Sequence, residues 1–279
     1  MKWIVGVDLR HGCDGALSWA RWARKRDASI ELLAAHAMEL PKGLVIPNPE
    51  TVAEHVEKYV GERIADVEVR VLEQQPSEAA LAHAVGTHGA DALAIGRRAP
   101  RDGDGLVRLG AVARRLLRKL PSPVLVCPPD LRSEHIPSGP ILVCVQANAE
   151  SAAALDFGRR VAKATGTPVQ AITVLPPMYP YPHAISYLPA PTYGGDEHDE
   201  RESAVRDWLA EQPGEGVKLT VADGPVVPTI LQASDELQAS MIVCGSRLLS
   251  AVERFFNTSV GTALAGSARV PVAVVPPTA

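Results

Sequence analysis

The sequence is poor in cysteine, in net charge and in long apolar runs, and each scarcity excludes a class of protein. Four cysteines in 279 residues, without close pairing or metal-ligand spacing, argue against a disulfide framework or a metal module. The formal net charge of -4 offers no electrostatic basis for a nucleic-acid partner. No apolar run approaches the roughly 18 residues of a membrane span. We therefore expect neither nucleic acid nor membrane as a partner.

The cysteines and the first residues also predict where the protein works. Cys127, Cys144 and Cys244 fall in predicted buried strands, where a free thiol behaves as a small hydrophobe. Residues 1–8 are too few and too quickly acidic for a signal peptide, so they are interpreted as a strand. Both observations favour a reducing cytoplasm.

Short apolar runs alternate with amphipathic stretches along the whole chain. Such an alternation predicts an α/β fold with a parallel sheet and right-handed crossovers. The predicted strands are 2–7, 30–37, 67–72, 92–95, 123–127, 141–145, 169–175, 217–221, 241–245 and 270–275. The predicted helices are 12–26, 50–65, 76–87, 111–120, 151–165, 200–211 and 227–237.

The second half of the chain repeats the first. Equivalent positions are separated by 138 residues for Asp8 and Gln146, 149 for Gly96 and Gly245, and 148 for Pro123 and Pro271. The offset changes only within predicted loops, chiefly a proline- and tyrosine-rich loop at 176–197, as a structural duplication requires. The repeat predicts two domains, 1–131 and 139–279. The closing strands of the two domains are expected to pair and so cover two sheet edges.

One corner of each repeat has the character of an anion site. In the first copy the apolar run 92–95 ends at Gly96, an arginine- and glycine-rich loop follows, and a helix begins near Ala111. Backbone N–H groups and the positive end of a helix dipole favour phosphate at such a corner. Asp8 ends the first strand at the same edge, where open α/β sheets bind ligands.

These stretches resemble the universal stress protein family in its tandem, two-domain form, over nearly the whole chain. The resemblance is carried by segments 4–8, 76–81, 90–96, 123–126, 223–225, 245–247 and 271–274. It implies two Rossmann-like domains, each an open five-stranded parallel sheet flanked by helices and packed together as an internal pseudo-dimer, with a further homodimer left open. It also implies a non-catalytic stress-response protein with adenine nucleotide or protein partners.

Some members of that family bind ATP through the pattern G-x2-G-x9-G-(S/T), together with an acidic residue that ends the first strand. The first copy departs from the pattern at Ala99, in a loop one residue longer, and at Ala111, which lacks a hydroxyl. Its implied binding residues are Asp8, Ala37, Gly96, Arg97, Arg98, Gly110 and Ala111. The guanidinium groups of Arg97 and Arg98 suit phosphate.

The second copy departs further from the pattern, because Gln146 replaces the acid, and Leu248 and Thr258 replace glycines. Glycine is required where backbone approaches phosphate closely or has a positive φ. The residues of this copy that resemble the binding pattern are Gly245, Ser246, Arg247, Thr258 and Ser259. ATP is therefore expected mainly in the first domain, and the second is expected to be degenerate.

Structural roles compete with each of these binding roles. Asp8 could cap the following turn, the arginines could form a solvated loop face, and Ser259 could cap a helix. His36 is expected to be a satisfied strand-end histidine. The pattern provides no nucleophile–base–orienter set and no metal ligands, so an enzyme is not expected. Two other functions stay open, a nucleotide-independent scaffold with vestigial loops and a slow ATP-hydrolysing relative.

Overall fold

The computed structural model describes residues 1–9, 13–38, 48–73, 76–98, 109–175, 195–214, 216–246 and 259–277. Within them lie ten strands and eight helices, and their near-strict alternation confirms the predicted α/β fold. In the first half the elements are β1 (Lys2–Gly6), α1 (Asp14–Arg26), β2 (Glu31–Ala37), α2 (Pro49–Gly61), β3 (Glu68–Leu72), α3 (Ser77–His88), β4 (Ala92–Gly96), α4 (Ala111–Lys119) and β5 (Val124–Cys127). In the second half they are β6 (Ile141–Cys144), α5 (Ala149–Thr165), β7 (Val169–Leu175), α6 (Gly195–Glu211), β8 (Lys218–Asp223), α7 (Val226–Glu236), β9 (Met241–Gly245), α8 (Val260–Ser267) and β10 (Val272–Val275).

The ten strands form one sheet with the order β3-β2-β1-β4-β5-β10-β9-β6-β7-β8. Each half therefore has the same internal order, and its strands are parallel. The halves join where β5 and β10 pair antiparallel, with Leu125 opposite Ala273. The predicted pairing of the closing strands is confirmed. It merges the two predicted sheets into one, because each half covers the edge that the other would expose.

Helices cover both faces of the sheet. On one face α1, α2, α5 and α6 pack on a core that includes Trp3, Trp19 and Phe157. The ring centroids of Trp3 and Trp19 are 4.4 Å apart, and those of Trp3 and Phe157 are 5.8 Å apart. Because Phe157 belongs to the second half, this aromatic cluster ties the halves together. The opposite face carries α3, α4, α7 and α8 over a separate apolar core.

The connection between the halves is packed rather than free. Leu131 and Ile136, which flank a short 3₁₀ turn at Ser133–His135, are each only 7% exposed. Most of the predicted proline- and tyrosine-rich loop lies outside the described residues, and α6 begins at Gly195, five residues before the predicted start. Of the helices in the described ranges, none has the length and apolar character needed to cross a bilayer.

Candidate functional site

The strand order creates an equivalent corner in each half. The chain proceeds outward from β1 through β2 to β3, then crosses to the other side of β1 to form β4. The same reversal places β9 beside β6 in the second half. In open α/β sheets, ligands bind at the carboxyl ends of strands where the order reverses. The corner after β1 and β4 and the corner after β6 and β9 are therefore the candidate sites.

In the second half this corner contains a cavity of about 400 Å³. Its lining has an apolar part, here called the wall, and a polar part, here called the rim. The wall includes Cys144, Ile172, Val174, Val226, Ile230, Cys244 and Val274, which come from the sheet and from α7. The rim includes Gln146, Asn148, Glu150, Ser151, Ser246 and Ser259. A mostly apolar cleft with a few convergent polar groups is the usual form of a small-molecule site.

Local hydrogen bonds build the rim after β6. The Asn148 side chain caps α5 by accepting from the Ser151 N–H at 2.9 Å. The Gln146 N–H in turn donates to the Ser151 hydroxyl at 2.8 Å. These bonds stabilise the turn between β6 and α5, where the exposed Gln146 lines the cavity.

The N-terminus of α8 forms another side of the cavity. Ser259 caps the helix by accepting from the Thr262 N–H at 3.2 Å, and its hydroxyl lies 2.7 Å from that of Thr262. Val260 and Gly261, the first two helical residues, line the cavity. Ser259 thus has the structural role of an N-cap and also brings the positive end of the helix dipole to the cavity.

The first-half corner presents Asp8 at its surface. Asp8 follows β1 and is exposed, and the half-buried Ala37 and Gly96 end β2 and β4 at the same edge. Gly110 caps α4 without a side-chain hydrogen bond, and the first helical residue, Ala111, is exposed. The loop at 99–108 lies outside the described residues, as do Arg247 and Thr258 of the second copy.

Arg97 does not point into the first corner. Its side chain is 7% exposed, and Nη1 donates to the carbonyl oxygens of Ala265 at 3.2 Å and Ala268 at 3.0 Å. These carbonyls end α8 in the other half, where a cation complements the helix dipole. Burial lowers the pKa of Arg97. The Arg97 guanidinium therefore makes a contact between the halves, and its phosphate-binding role stays a prediction. Arg98 is exposed.

Comparison with known proteins supports the duplicated fold and shows the family to which the chain belongs. The sequence model described as "Universal stress protein family" matches residues 1–128 and again residues 138–276. The chain belongs to the universal stress protein family. The double match agrees with the tandem form expected from the repeat.

Solved universal stress proteins share the architecture of the whole chain. One from Archaeoglobus fulgidus DSM 4304 is 17% identical with a TM-score of 0.69, and the match covers 99% of this chain and 98% of that one. Another, from Pseudomonas aeruginosa UCBPP-PA14, is 15% identical with a TM-score of 0.68, covering 99% of this chain and 93% of that one. At these identities the likeness concerns the fold.

Gly245 of the family-like Gly-Ser-Arg segment has a packing role. A Cβ at this position would lie 2.3 Å from the carbonyl oxygen of Glu150, so only glycine lets the end of β9 approach the first turn of α5. By contrast, a Cβ at Gly110 would meet nothing nearer than the Arg98 Cβ at 3.9 Å. A glycine in the pattern can therefore reflect helix–strand packing rather than an approach to phosphate.

A polar cluster behind the first corner was not predicted. The Tyr59 hydroxyl donates to Asp14 Oδ1 at 2.5 Å, and Arg63 Nε donates to the same oxygen at 2.7 Å. The Arg63 guanidinium also lies 3.6 Å from the centre of the Tyr59 ring. Burial is the main cause that raises the pKa of Tyr59. The cluster joins the first turn of α1 to α2, and only the i,i+4 spacing of Tyr59 and Arg63 hinted at it.

His36 has a structural partner, in agreement with its expected role. Its Nδ1 lies 2.8 Å from the carbonyl oxygen of Val7, next to the end of β1. Within the described ranges, no group of three or more histidine, cysteine or acidic side chains could hold a metal ion.

Proposed function

We propose that the protein is a non-catalytic stress-response regulator that binds an adenine nucleotide, ATP in the first instance, at its switch-point corners. The observation that carries this proposal is the cavity of about 400 Å³ after β6 and β9, closed on one side by the N-terminus of α8. A cytoplasmic location, supported by four free cysteines, is part of the proposal.

The two surfaces of the cavity suit the two ends of a nucleotide. The apolar wall, which includes Ile172, Val174 and Ile230, can remove the faces of a flat purine from water. The first turn of α8 offers N–H groups and a positive dipole end to a phosphate. The rim amides of Gln146 and Asn148 can both donate to and accept from ribose hydroxyls.

The two corners differ in the groups that they offer to a nucleotide. Asp8 gives the first corner a carboxylate, which is the stronger acceptor for ribose hydroxyls. We therefore retain the first half as the principal proposed site. The second half has neutral Gln146 at the equivalent position but offers the described cavity. We propose it as a weaker site rather than a vestige.

Titration calorimetry with ATP on the full chain and on a matched pair of variants tests this ranking. Asp8→Ala removes a charge-assisted acceptor, so we expect affinity to fall by about 10- to 100-fold. Gln146→Ala removes a neutral partner, so a fall of about 2- to 10-fold at the weaker site is expected. If ATP gives no heat of binding with the unmodified protein, and Asp8→Ala gives the same result, the proposal is wrong.

A nucleotide-independent scaffold that binds a protein partner is the second candidate. The packing role of Gly245 favours it, because a glycine of the pattern is then explained without phosphate. The contact of Arg97 with the carbonyl ends of α8 favours it for the same reason. Native mass spectrometry of protein purified without added nucleotide separates the candidates, since a tight nucleotide site carries its ligand through purification.

A further inference from the structure

A chain of hydrogen bonds leads from the first corner into the contact between α1 and α2. The buried Cys13 thiol lies against Asp8, within hydrogen-bond reach of both the backbone N–H and the carboxylate of that residue. The same thiol donates to the Tyr59 hydroxyl at 3.5 Å. That hydroxyl donates to Asp14 Oδ1, which also accepts from Arg63 Nε. One sulfur atom therefore connects Asp8, at the ligand edge of the sheet, to a residue of α2.

The two neutral links of this chain keep their protons near neutral pH. Burial is the main cause that raises the pKa of Cys13 to about 11, and it also raises the pKa of Tyr59. A protonated thiol and a phenol can each donate one hydrogen bond while they accept another. The chain ends on the Asp14 carboxylate, which the Arg63 guanidinium neutralises at 2.7 Å. Bonds in such a chain strengthen one another, because each donor is polarised by the next.

The backbone beside Asp8 requires support of this kind. Leu9 has a φ of 57°, in the left-handed region that a bulky side chain adopts only at a cost. Such a conformation persists only where the surroundings hold it. Leu9 packs against the apolar core, and His36 Nδ1 lies 2.8 Å from the carbonyl oxygen of Val7. Tertiary contacts on both sides of Leu9, including that of Cys13 with Asp8, therefore fix where the carboxylate stands.

The second half has the first link of this chain but lacks an equivalent of Asp14. Ser151 occupies the position equivalent to Cys13, and its hydroxyl accepts from the N–H of Gln146 at 2.8 Å. The residue equivalent to Asp14 is Ala152, which has no carboxylate to accept a hydrogen bond. The link to an Asp14-type carboxylate thus accompanies the corner that has an acidic residue after its first strand.

We propose that Cys13, held by Tyr59, is a positioning residue for the Asp8 carboxylate, so that the contact between α1 and α2 sets the affinity of the first corner for its nucleotide. The inference rests on the proposed function, in which Asp8 accepts from the ribose hydroxyls. An acceptor that is fixed before the ligand arrives loses less conformational freedom on binding, so its hydrogen bond contributes more to affinity. Tyr59 acts through Cys13 and needs no contact with the nucleotide.

Titration calorimetry with ATP on the reduced, full-length protein tests this role. We expect Tyr59→Phe and Cys13→Ala each to lower the affinity by about 2- to 10-fold, the size of one neutral hydrogen bond. Tyr59→Phe keeps the ring that the Arg63 guanidinium contacts, so the variant should fold. Cys13→Ser keeps a donor and an acceptor and should restore most of the affinity. The matched control is Thr51→Val, which removes a hydroxyl from an exposed position of the same helix and should leave the affinity unchanged.

A double-mutant cycle separates positioning of Asp8 from a general loosening of the fold. If Tyr59 acts through Asp8, Tyr59→Phe has little further effect on ATP affinity in the Asp8→Asn background, because the group that it positions is already changed. Equal losses from Tyr59→Phe in both backgrounds overturn the inference.

The infrared S–H stretching band of Cys13 gives a readout that needs no nucleotide. Comparison with Cys13→Ser assigns the band, whose frequency falls as the thiol donates a stronger hydrogen bond. Asp8→Asn and Tyr59→Phe should each shift it. Shifts in protein that gives no heat with ATP contradict the proposed function but support the link from Tyr59 to Asp8. A band that either variant leaves unshifted overturns the inference, even where ATP binds.

Discussion

The two halves of the molecule share one strand order but present different corners. In the first, the exposed carboxylate of Asp8 follows β1, whereas the second has neutral Gln146 at the equivalent position and a cavity beside it. Arg97 follows β4 and reaches across to the other half, whereas Ser246 follows β9 and lines the cavity of its own half. The two halves therefore share the scaffold and differ in the side chains at the carboxyl edge of the sheet, because few of those side chains support the core.

The largest effect is expected where the halves are held together. Trp19 and Phe157 occupy equivalent positions and both pack in the aromatic cluster around Trp3. Trp19→Ala and Phe157→Ala should each lower the free energy of unfolding by about 3–5 kcal/mol, measured by urea denaturation. Within the described ranges Trp19 Nε1 is buried without a partner, so Trp19→Phe should cost far less. If the phenylalanine variant is as unstable as the alanine variant, the indole N–H contributes to stability and the expectation is wrong.

The next comparison concerns a glycine that packing requires. Gly245→Ala forces a Cβ to within 2.3 Å of the Glu150 carbonyl oxygen, so β9 or α5 must shift. We expect a loss of about 1–3 kcal/mol in the free energy of unfolding. Gly86→Ala, where a Cβ meets nothing within 4 Å and the site is helical, is the control and should be neutral or stabilising. Equal stability of the two variants would show that β9 can move away from α5 at little cost.

The contact between the halves through Arg97 predicts an effect of similar or smaller size. Arg97→Ala leaves the carbonyl oxygens of Ala265 and Ala268 without this donor, so the free energy of unfolding should fall by about 1–3 kcal/mol. The exposed neighbour Arg98 provides the control. Arg98→Ala should change the free energy of unfolding by less than about 0.5 kcal/mol. If Arg97→Ala is as stable as the unmodified protein but binds ATP more weakly, Arg97 is part of the binding site.

The smallest effects are expected at the helix N-caps. Ser259 caps α8 through its hydroxyl, whereas Gly110 caps α4 without a side-chain bond. Ser259→Ala should lower the free energy of unfolding by about 1 kcal/mol, and Gly110→Ser should raise it by a few tenths. Thermal unfolding of both variants measures the difference. A fall in stability on Gly110→Ser would show that the hydroxyl does not reach the first turn of α4.

Much of the fold follows from patterns that are local in the sequence. The apolar run at β4 and the amphipathic stretch at α1 were placed within a few residues, because burial on a sheet or on one helix face imposes a period that each segment carries by itself. The pairing of β5 with β10 was also predicted, since two equivalent edges in a repeat can cover each other. The start of α6 at Gly195 was missed, because a polar first turn resembles a loop.

The site was only partly predictable. Asp8, Gly96 and Ser259 could be placed at the edge because each ends or closely follows a strand, or caps a helix, in a repeated order. The direction of the Arg97 side chain could not be predicted, because its partners lie at Ala265 and Ala268, far away in the sequence. The domain boundaries at 131 and 139, and the ranking of the two corners, stay predictions.

By itself the sequence determined the duplicated strand–helix units and the positions at which each corner differs from the other. Those features depend on residue type and spacing within one segment. Only the tertiary structure decided that Cys13 contacts Tyr59, that Gly245 is needed for packing and that Arg97 serves the contact between halves. The physical reason is that each of these depends on the distance between atoms from separate segments, which sequence spacing does not encode.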